Sequence, residues 1–380
     1  MNNNGIIRNF IQSETAAGII LFLAVSISIL LSNFGPTLNY VQFWHTQFYG
    51  VPLSSIINDG LMTLFFLLIG LEIEREMYDG ELSSVKQALL PIVGALGGVF
   101  VPAFIYFLIN IPSRSWEGIG IPMATDIAFL LSFFLLLKKQ IPHSLKILFI
   151  ALAIVDDICA ILVLALFYSK EIYWNYLLYA FCVVALLFIL NRVRVVNLFP
   201  YLLGGILLWF FILKSGIHST IAGVILAFLI PYHSNKKLCP SSRLQSKLHY
   251  PVALIILPLF ALTNTAIQIN PQLISTLLTL NSLGIFFGLV IGKPLGISIV
   301  IYFCLKFKLI QLPHQISISH IVGGSILAGI GFTMSIFIST LSFDNQHLVE
   351  SSKFTVILSS LVAGVFGLLF FRIKTCFADK

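Results

Sequence analysis

Two adjacent aspartates, Asp156 and Asp157, stand in the middle of the apolar run Ala151-Leu-Ala-Ile-Val-Asp-Asp-Ile-Cys-Ala-Ile161. Inserting one aspartate at the centre of a membrane helix costs about 2.5 to 3.5 kcal/mol. A pair in that position therefore points to a use. Neighbours on a helix are about 100° apart, so one carboxylate can face a cavity while the other meets a partner helix. Two like charges so close and partly out of water cannot both stay ionised at low cost, which brings proton exchange within reach of cytoplasmic pH. A group that binds either a proton or a hard cation can exchange one for the other.

Other ionisable groups at similar depth give the pair its context. Lys293, in Leu289-Val-Ile-Gly-Lys-Pro-Leu-Gly296, is the one Lys or Arg well inside an apolar run. A buried ammonium needs a carboxylate, and Asp156 or Asp126 would serve, leaving Asp157 for an ion. The bland alternative is a snorkelling lysine near an interface. Asp126, beside Thr125, is placed either to ligate a cation or to offset the positive ends of half-helices. Carboxylate and hydroxyl oxygens suit sodium or lithium and not soft transition metals. The eight histidines show no paired ligand spacing. His218 reads first as a packing residue, although it titrates near neutrality. Glu72, Glu74, Arg75 and Glu76 crowd one helical turn with Asp79 and Glu81 after them. They form either a solvated helix end or a cation-attracting, pH-responsive mouth. Asp59 lies near the opposite end of the same span, as an exit-funnel or helix-cap residue.

The elements that must hold these groups follow from composition. Of the 380 residues 58% are hydrophobic and 10% charged, against about a quarter charged in an ordinary soluble domain. Continuous apolar runs of roughly bilayer length, without alternation, select helices over a barrel. The expected fold is an all-α polytopic membrane protein, one transmembrane transporter domain over 1–380. Spans are expected near 12–31, 53–78, 88–110, 116–137, 143–169, 175–192, 198–213, 216–231, 248–265, 283–304, 319–343 and 351–373. The first is read as a retained span and not a cleaved signal. Two spans carry breaks. Pro122 removes a backbone donor between Gly118, Gly120 and Asp126, and Gly323, Gly324, Gly329 and Gly331 give the later run the same character. Irregular backbone at membrane depth must face protein or a water-filled cavity, and paired breaks in the two halves point to an inverted-repeat transporter. Gly323 and Gly324 also have a plainer reading as close helix contacts.

Of the 22 Lys and Arg residues, Arg114, Lys170, Lys214 and Lys353 fall on one set of connections, Lys293 lies within a span, and all others fall on the other set. The positive-inside rule then places both termini in the cytoplasm. Basic residues scattered through short connections are a topology signal, so the formal net charge of +7 does not imply nucleic acid. Cys159, Cys182, Cys239, Cys304 and Cys376 have no metal-ligand spacing and read as packing residues.

The strings Asn58-Asp-Gly-Leu-Met62, Phe65 to Glu72, Ala124-Thr-Asp-Ile-Ala-Phe129, Ala151 to Asp157, Leu213 to His218, Ile291 to Ser298 and Gly329 to Phe337 resemble the bacterial NhaA-type sodium/proton antiporters over nearly the whole chain. The resemblance implies twelve helices in a core bundle and a dimer-forming bundle, with the fourth and eleventh broken and crossing. It implies a bacterial inner-membrane location and a homodimer in the lipid bilayer. It also implies export of sodium or lithium in exchange for a larger number of protons, electrogenic and pH-regulated, without a cofactor or catalytic residue. Asp157 then matches the principal carboxylate, Asp156 its partner, Lys293 the residue that pairs with Asp156 in the ion-free state, and Thr125 and Asp126 the crossing-site pair. Glu72, Arg75 and Glu76 match a cytoplasmic pH-response cluster, and His218 the histidine that shifts its pH profile. Two departures concern regulation: Gln245-Ser246 replaces a Glu-His pair, and Glu74 replaces a basic residue. The alternatives are a cation or proton channel using the same acids, and an intramembrane aspartyl protease, which would set its two acids on different helices.

Overall fold

Backbone amides in hydrocarbon must find partners within their own segment, and the computed structural model meets that need with helices nearly throughout. It describes residues 14–34, 37–113, 115–137, 141–168, 172–232, 239–313 and 315–378. Arg8, Arg114, Lys138, Lys139, Lys170, Lys236, Lys237 and Lys380, used in the charge reading, lie outside them. The helices are α1 (Glu14–Phe34), α2 (Leu53–Asp79), α3 (Val85–Asn110), the 3-10 helix α4 (Trp116–Met123), α5 (Ile127–Leu136), α6 (His143–Phe167), α7 (Trp174–Arg192), α8 (Phe199–Ser215), α9 (Ile221–Leu229), α10 (Pro240–Asn264), α11 (Leu280–Lys306), α12 (Ile318–Ala328), α13 (Phe332–Ser342) and α14 (Gln346–Ala378). A short helix, Thr37–His45, and a two-stranded hairpin, Gln47–Phe48 with Val51–Pro52, join α1 to α2, and short helical turns, Pro271–Ser275 and Thr276–Leu278, lie between α10 and α11.

Among the described residues nine helical segments are long and apolar enough to cross a membrane, and the α12–α13 pair, bent by 46°, makes a tenth. The apolar helices α8 and α9 fill the two remaining expected positions. Only nine residues of the expected 216–231 span are helical, about 14 Å at 1.5 Å per residue, which is half a bilayer. Gly216 takes a left-handed φ of 87° and ends α8, leaving His218 in a loop before α9. The span expected to begin at 248 starts at Pro240; its first two turns are polar and carry no apolar signal.

Local chemistry explains the irregular turns. In α10 and α11, π turns at Val252–Ile256 and Gly288–Gly292 precede Pro258 and Pro294. Each proline lacks the N–H that would bond the carbonyl four residues back, at Leu254 and Val290, so the ladder shifts to i→i−5. A third π turn, Ile56–Leu61, lies in α2 and contains Asp59. Asp59 is thus inside a helix, which corrects the helix-cap alternative and leaves the exit-funnel one. Small residues set the helix contacts: a Cβ on Gly296 of α11 would lie 2.1 Å from the Gly97 carbonyl oxygen of α3. Likewise, a Cβ on Gly223 of α9 would lie 2.3 Å from the Thr63 carbonyl oxygen of α2. These backbones touch, as small residues permit in membrane bundles.

The two expected breaks are present and bonded to each other. Between α4 and α5, Ala124 and Asp126 are extended; between α12 and α13 the break is Gly329 to Gly331. The Asp126 amide donates to the Ile330 carbonyl (2.7 Å), and Ser335 Oγ of α13 donates to the Ile121 carbonyl of α4 (2.7 Å). Groups freed by one break are satisfied by the other, as burial requires. Gly323 and Gly324 do not belong to the break. They lie within α12, where added Cβ atoms would meet Phe371 at 2.6 Å and Phe149 at 2.4 Å, which is the packing role.

Candidate ion-binding site

Four half-helices meet at the crossing, and Asp126 stands at the start of two of them. Its side chain accepts from the Phe129 amide at the first turn of α5 (3.1 Å). It also accepts from the Thr333 amide (2.9 Å) and Thr333 Oγ1 (2.5 Å) at the first turn of α13. One carboxylate therefore faces the positive ends of both half-helices and satisfies their unpaired amides. These contacts are the ones the end-offsetting alternative for Asp126 requires. Thr333 was missed as a contact; its signal was only that it closes the glycine-rich break.

Asp156 and Asp157, both 1% exposed, sit on α6 opposite this crossing. Asp156 Oδ2 accepts from Lys293 Nζ at 2.8 Å, with neither side chain exposed, and from Thr125 Oγ1 at 2.8 Å. The same Thr125 hydroxyl lies 3.0 Å from the Ala328 carbonyl, so its single proton is shared between two acceptors. Lys293 also donates to the Met123 carbonyl at the end of α4. Of the two partners offered to Lys293 by sequence, the structure selects Asp156, and the lysine does not snorkel. Its placement follows from the Gly97–Gly296 contact, which presses α11 onto α3, and from the π turn that ends at Lys293.

Asp157 has different company. Its Oδ1, like that of Asp156, is buried without a hydrogen-bond partner among the described residues. It lines a cavity of about 100 Å³ together with Thr125, Asp126, Thr333, Met334 and Glu72. Room for several waters, and the oxygens of Asp157, Asp126, Glu72, Thr125 and Thr333 set in an otherwise largely apolar wall, suit a hard, hydrated cation. The cavity continues past Leu68 of α2 and Val252 of α10 to Glu72 and His249. The His249 side chain is 46% exposed, so this end reaches the surface. His249 Nδ1 lies 3.9 Å from Glu72 Oε1; the histidine carried no sequence signal beyond preceding Tyr250-Pro251.

The remaining expected residues divide between the two ends of the molecule. Glu72 shares the Asp157 cavity. Arg75 pairs with Glu76 at 2.9 Å on the surface, and Glu76 Oε2 accepts from the Glu81 amide (3.1 Å), so these two do not line the cavity. Glu74, one of the two departures, is buried and accepts from Ser241 Oγ of α10 at 2.5 Å. Gln245, the other, is buried one turn further on. At the opposite end His218 Nε2 lies 3.6 Å from Asp59 Oδ1, and His218 Nδ1 is 2.8 Å from Thr220 Oγ1. The His218 ring meets Phe337 edge-on at 5.3 Å, so His218 is packed and partnered, and it is separate from the Asp157 cavity.

The chain is similar to known proteins along nearly its whole length. Residues 8–371 match the family model described as Na+/H+ antiporter 1. A protein named Na(+)/H(+) antiporter NhaA from Flavobacterium psychrophilum is 46% identical over 374 residues, covering 98% of this chain and 97% of the relative. One of the same name from Dechloromonas aromatica is 49% identical over 367 residues, covering 95% and 94%. Another, from Helicobacter pylori, is 41% identical over 414 residues, covering 96% and 94%.

Proposed function

We propose that this chain, which belongs to the Na+/H+ antiporter 1 family, carries out its sodium/proton exchange at Asp157, with Asp156, Lys293, Thr125 and Asp126 as the groups that shape and charge the site. It is a multi-pass bacterial membrane protein, and sodium and protons are the ions it exchanges. The observation that carries the site assignment is the contrast between neighbours: Asp156 is neutralised by Lys293 at 2.8 Å, whereas Asp157 lines a cavity and has no ion pair among the described residues.

The exchange follows from that contrast. With the site protonated, Asp157 holds its proton and Asp156 is tied to Lys293. A sodium ion entering past Glu72 displaces the Asp157 proton and is ligated by carboxylate oxygen. Thr125 and Thr333, which line the same cavity, offer hydroxyl oxygens to the ion. If Asp156 turns to the ion, Lys293 becomes an unpaired buried ammonium, a costly state that proton release relieves. Two protons then leave for one sodium, and the cycle moves net charge. Asp126 keeps the crossing neutral throughout by meeting two helix ends, so the site does not need a permanent counter-ion.

The same reading includes lithium as a second substrate, needs no cofactor, and places both termini in the cytoplasm of the inner membrane, so that Glu72 and His249 mark the cytoplasmic mouth. Glu72, Arg75 and Glu76 then form the pH-response cluster there, with His218 and Asp59 at the outer end. The exposed apolar faces of α7 and α8, including Tyr179, Phe181, Leu203 and Ile206, are available to lipid and to a second copy in a homodimer. The test is calorimetric titration of sodium into the purified protein in two buffers of different ionisation enthalpy. Binding with proton release is expected in the natural sequence and no binding in Asp157→Asn. Full sodium binding with proton release in that variant would overturn the assignment.

A further inference from the structure

A second cavity, of about 200 Å³, lies where the Thr37–His45 helix meets α2, α10 and the start of α14. Two hydrogen-bond donors on its wall have hydrogens to spare. Lys353 Nζ, partly buried, donates to Asn264 Oδ1 at 3.0 Å, which uses one of the three hydrogens of an ammonium. No carboxylate among the described residues forms an ion pair with it. Trp44 is 7% exposed, and its indole Nε1 is buried without a hydrogen-bond partner among the described residues. An indole nitrogen can only donate, so its need is for an acceptor.

The neighbouring polar groups are largely committed elsewhere. Asn264 Nδ2 donates to Asn58 Oδ1 at 2.8 Å, and the Thr263 and Thr340 hydroxyls donate to carbonyls of their own helices. The first residue of α14, Gln346, is on the same wall, and the positive end of that long helix adds to the potential there. One carboxylate, Glu350, also lines the cavity; it is exposed and stands 3.4 Å from Gln346 Nε2. An ammonium without an ion pair and an unpaired N–H both gain most from an ionised acceptor, since charge-assisted hydrogen bonds are the strong ones.

We propose that this cavity is a binding site for a small monovalent anion, chloride or a short carboxylate, held by the Lys353 ammonium and the Trp44 indole N–H. The volume admits such an ion with part of its water. Glu350 on the same wall sets the charge, because a second negative charge on the ligand would be repelled by it. The Lys353 ammonium also ties α14 to α10 and α2 through Asn264 and Asn58. An anion that shares it therefore couples the ions of the adjacent solution to the packing of three helices. The site stands apart from Asp157 and does not depend on the reading of that residue.

The test is quadrupolar line broadening of chloride by NMR, with the purified full-length chain in a nonionic detergent and the sodium concentration held constant. The natural sequence is expected to broaden the chloride resonance saturably, formate to displace the bound ion and sulfate to displace it poorly. Lys353→Met should abolish the saturable broadening. Trp44→Phe, which keeps a ring and removes the N–H, should weaken chloride by about tenfold, the worth of one hydrogen bond to a charged group. Asp157→Asn should leave it unchanged. Broadening of natural strength in both Lys353→Met and Trp44→Phe, or no saturable broadening by the natural sequence, would overturn the proposal. Displacement by sulfate as effective as by formate would refute the single-charge class. Should Lys353→Met not accumulate, Trp44→Phe decides, and an unchanged chloride affinity in it refutes the site.

Discussion

Asp156 and Asp157 differ by one position and by everything that surrounds them. A turn of 100° per residue sends one to α11 and the Lys293 ammonium and the other to a cavity. The Lys293–Asp156 pair has no exposed surface, so removing one partner leaves an uncompensated charge, typically worth 3 to 5 kcal/mol. Lys293→Ala should therefore lower the midpoint of thermal unfolding in detergent by several degrees, and Lys293→Met combined with Asp156→Asn should recover much of the loss. A midpoint unchanged in Lys293→Ala would mean that the pair is not formed in the membrane. Sequence alone announces both aspartates, Lys293 and Asp126, because ionisable groups in apolar runs stand out at once, and Thr125 only by its place beside Asp126. It could not announce Thr333 or the Met123 and Ala328 carbonyls. Hydroxyls and carbonyls are ordinary in a membrane helix until a fold aims them at a carboxylate.

The elements that hold this site do so through missing backbone groups and missing side chains. Pro122 and the glycines at 329 and 331 break two spans, and Asp126 ties the broken ends together at 2.7 Å and 2.9 Å. Both breaks were legible, since Pro and Gly weaken a helix wherever they stand. The limits of the later break were not, because Gly323 and Gly324 look the same in sequence and serve instead as seats for Phe371 and Phe149. The short α9 was illegible for a similar reason: apolarity runs on through 216–231 although the backbone turns at Gly216. The contact between Gly97 and Gly296 is the element-scale feature on which Lys293 depends. A Cβ at either position meets backbone, which cannot rotate away, so Gly296→Ala should cost about 1 to 3 kcal/mol as overpacking does. It should also reduce exchange by moving Lys293 from Asp156. Unaltered stability and exchange in Gly296→Ala would show that α3 and α11 are not pressed together.

At the scale of the whole molecule, one cavity joins Asp157 to a surface marked by Glu72 and His249. That plan is a transporter's, and its central commitment is that one carboxylate serves sodium and proton in turn. Competition follows directly. As pH falls, protons occupy Asp157 and the half-saturating sodium concentration must rise, by up to about tenfold per pH unit for each proton displaced. The most direct test is sodium-induced dequenching of a pH-sensitive dye in inverted vesicles from a host without its own antiporters, scanned across pH with the natural chain and with Asp157→Asn. The account predicts a sodium- and lithium-dependent response whose half-saturating concentration rises toward acid pH and which Asp157→Asn abolishes at every pH. A response that persists in Asp157→Asn, or proton movement by the natural chain without sodium, would contradict it.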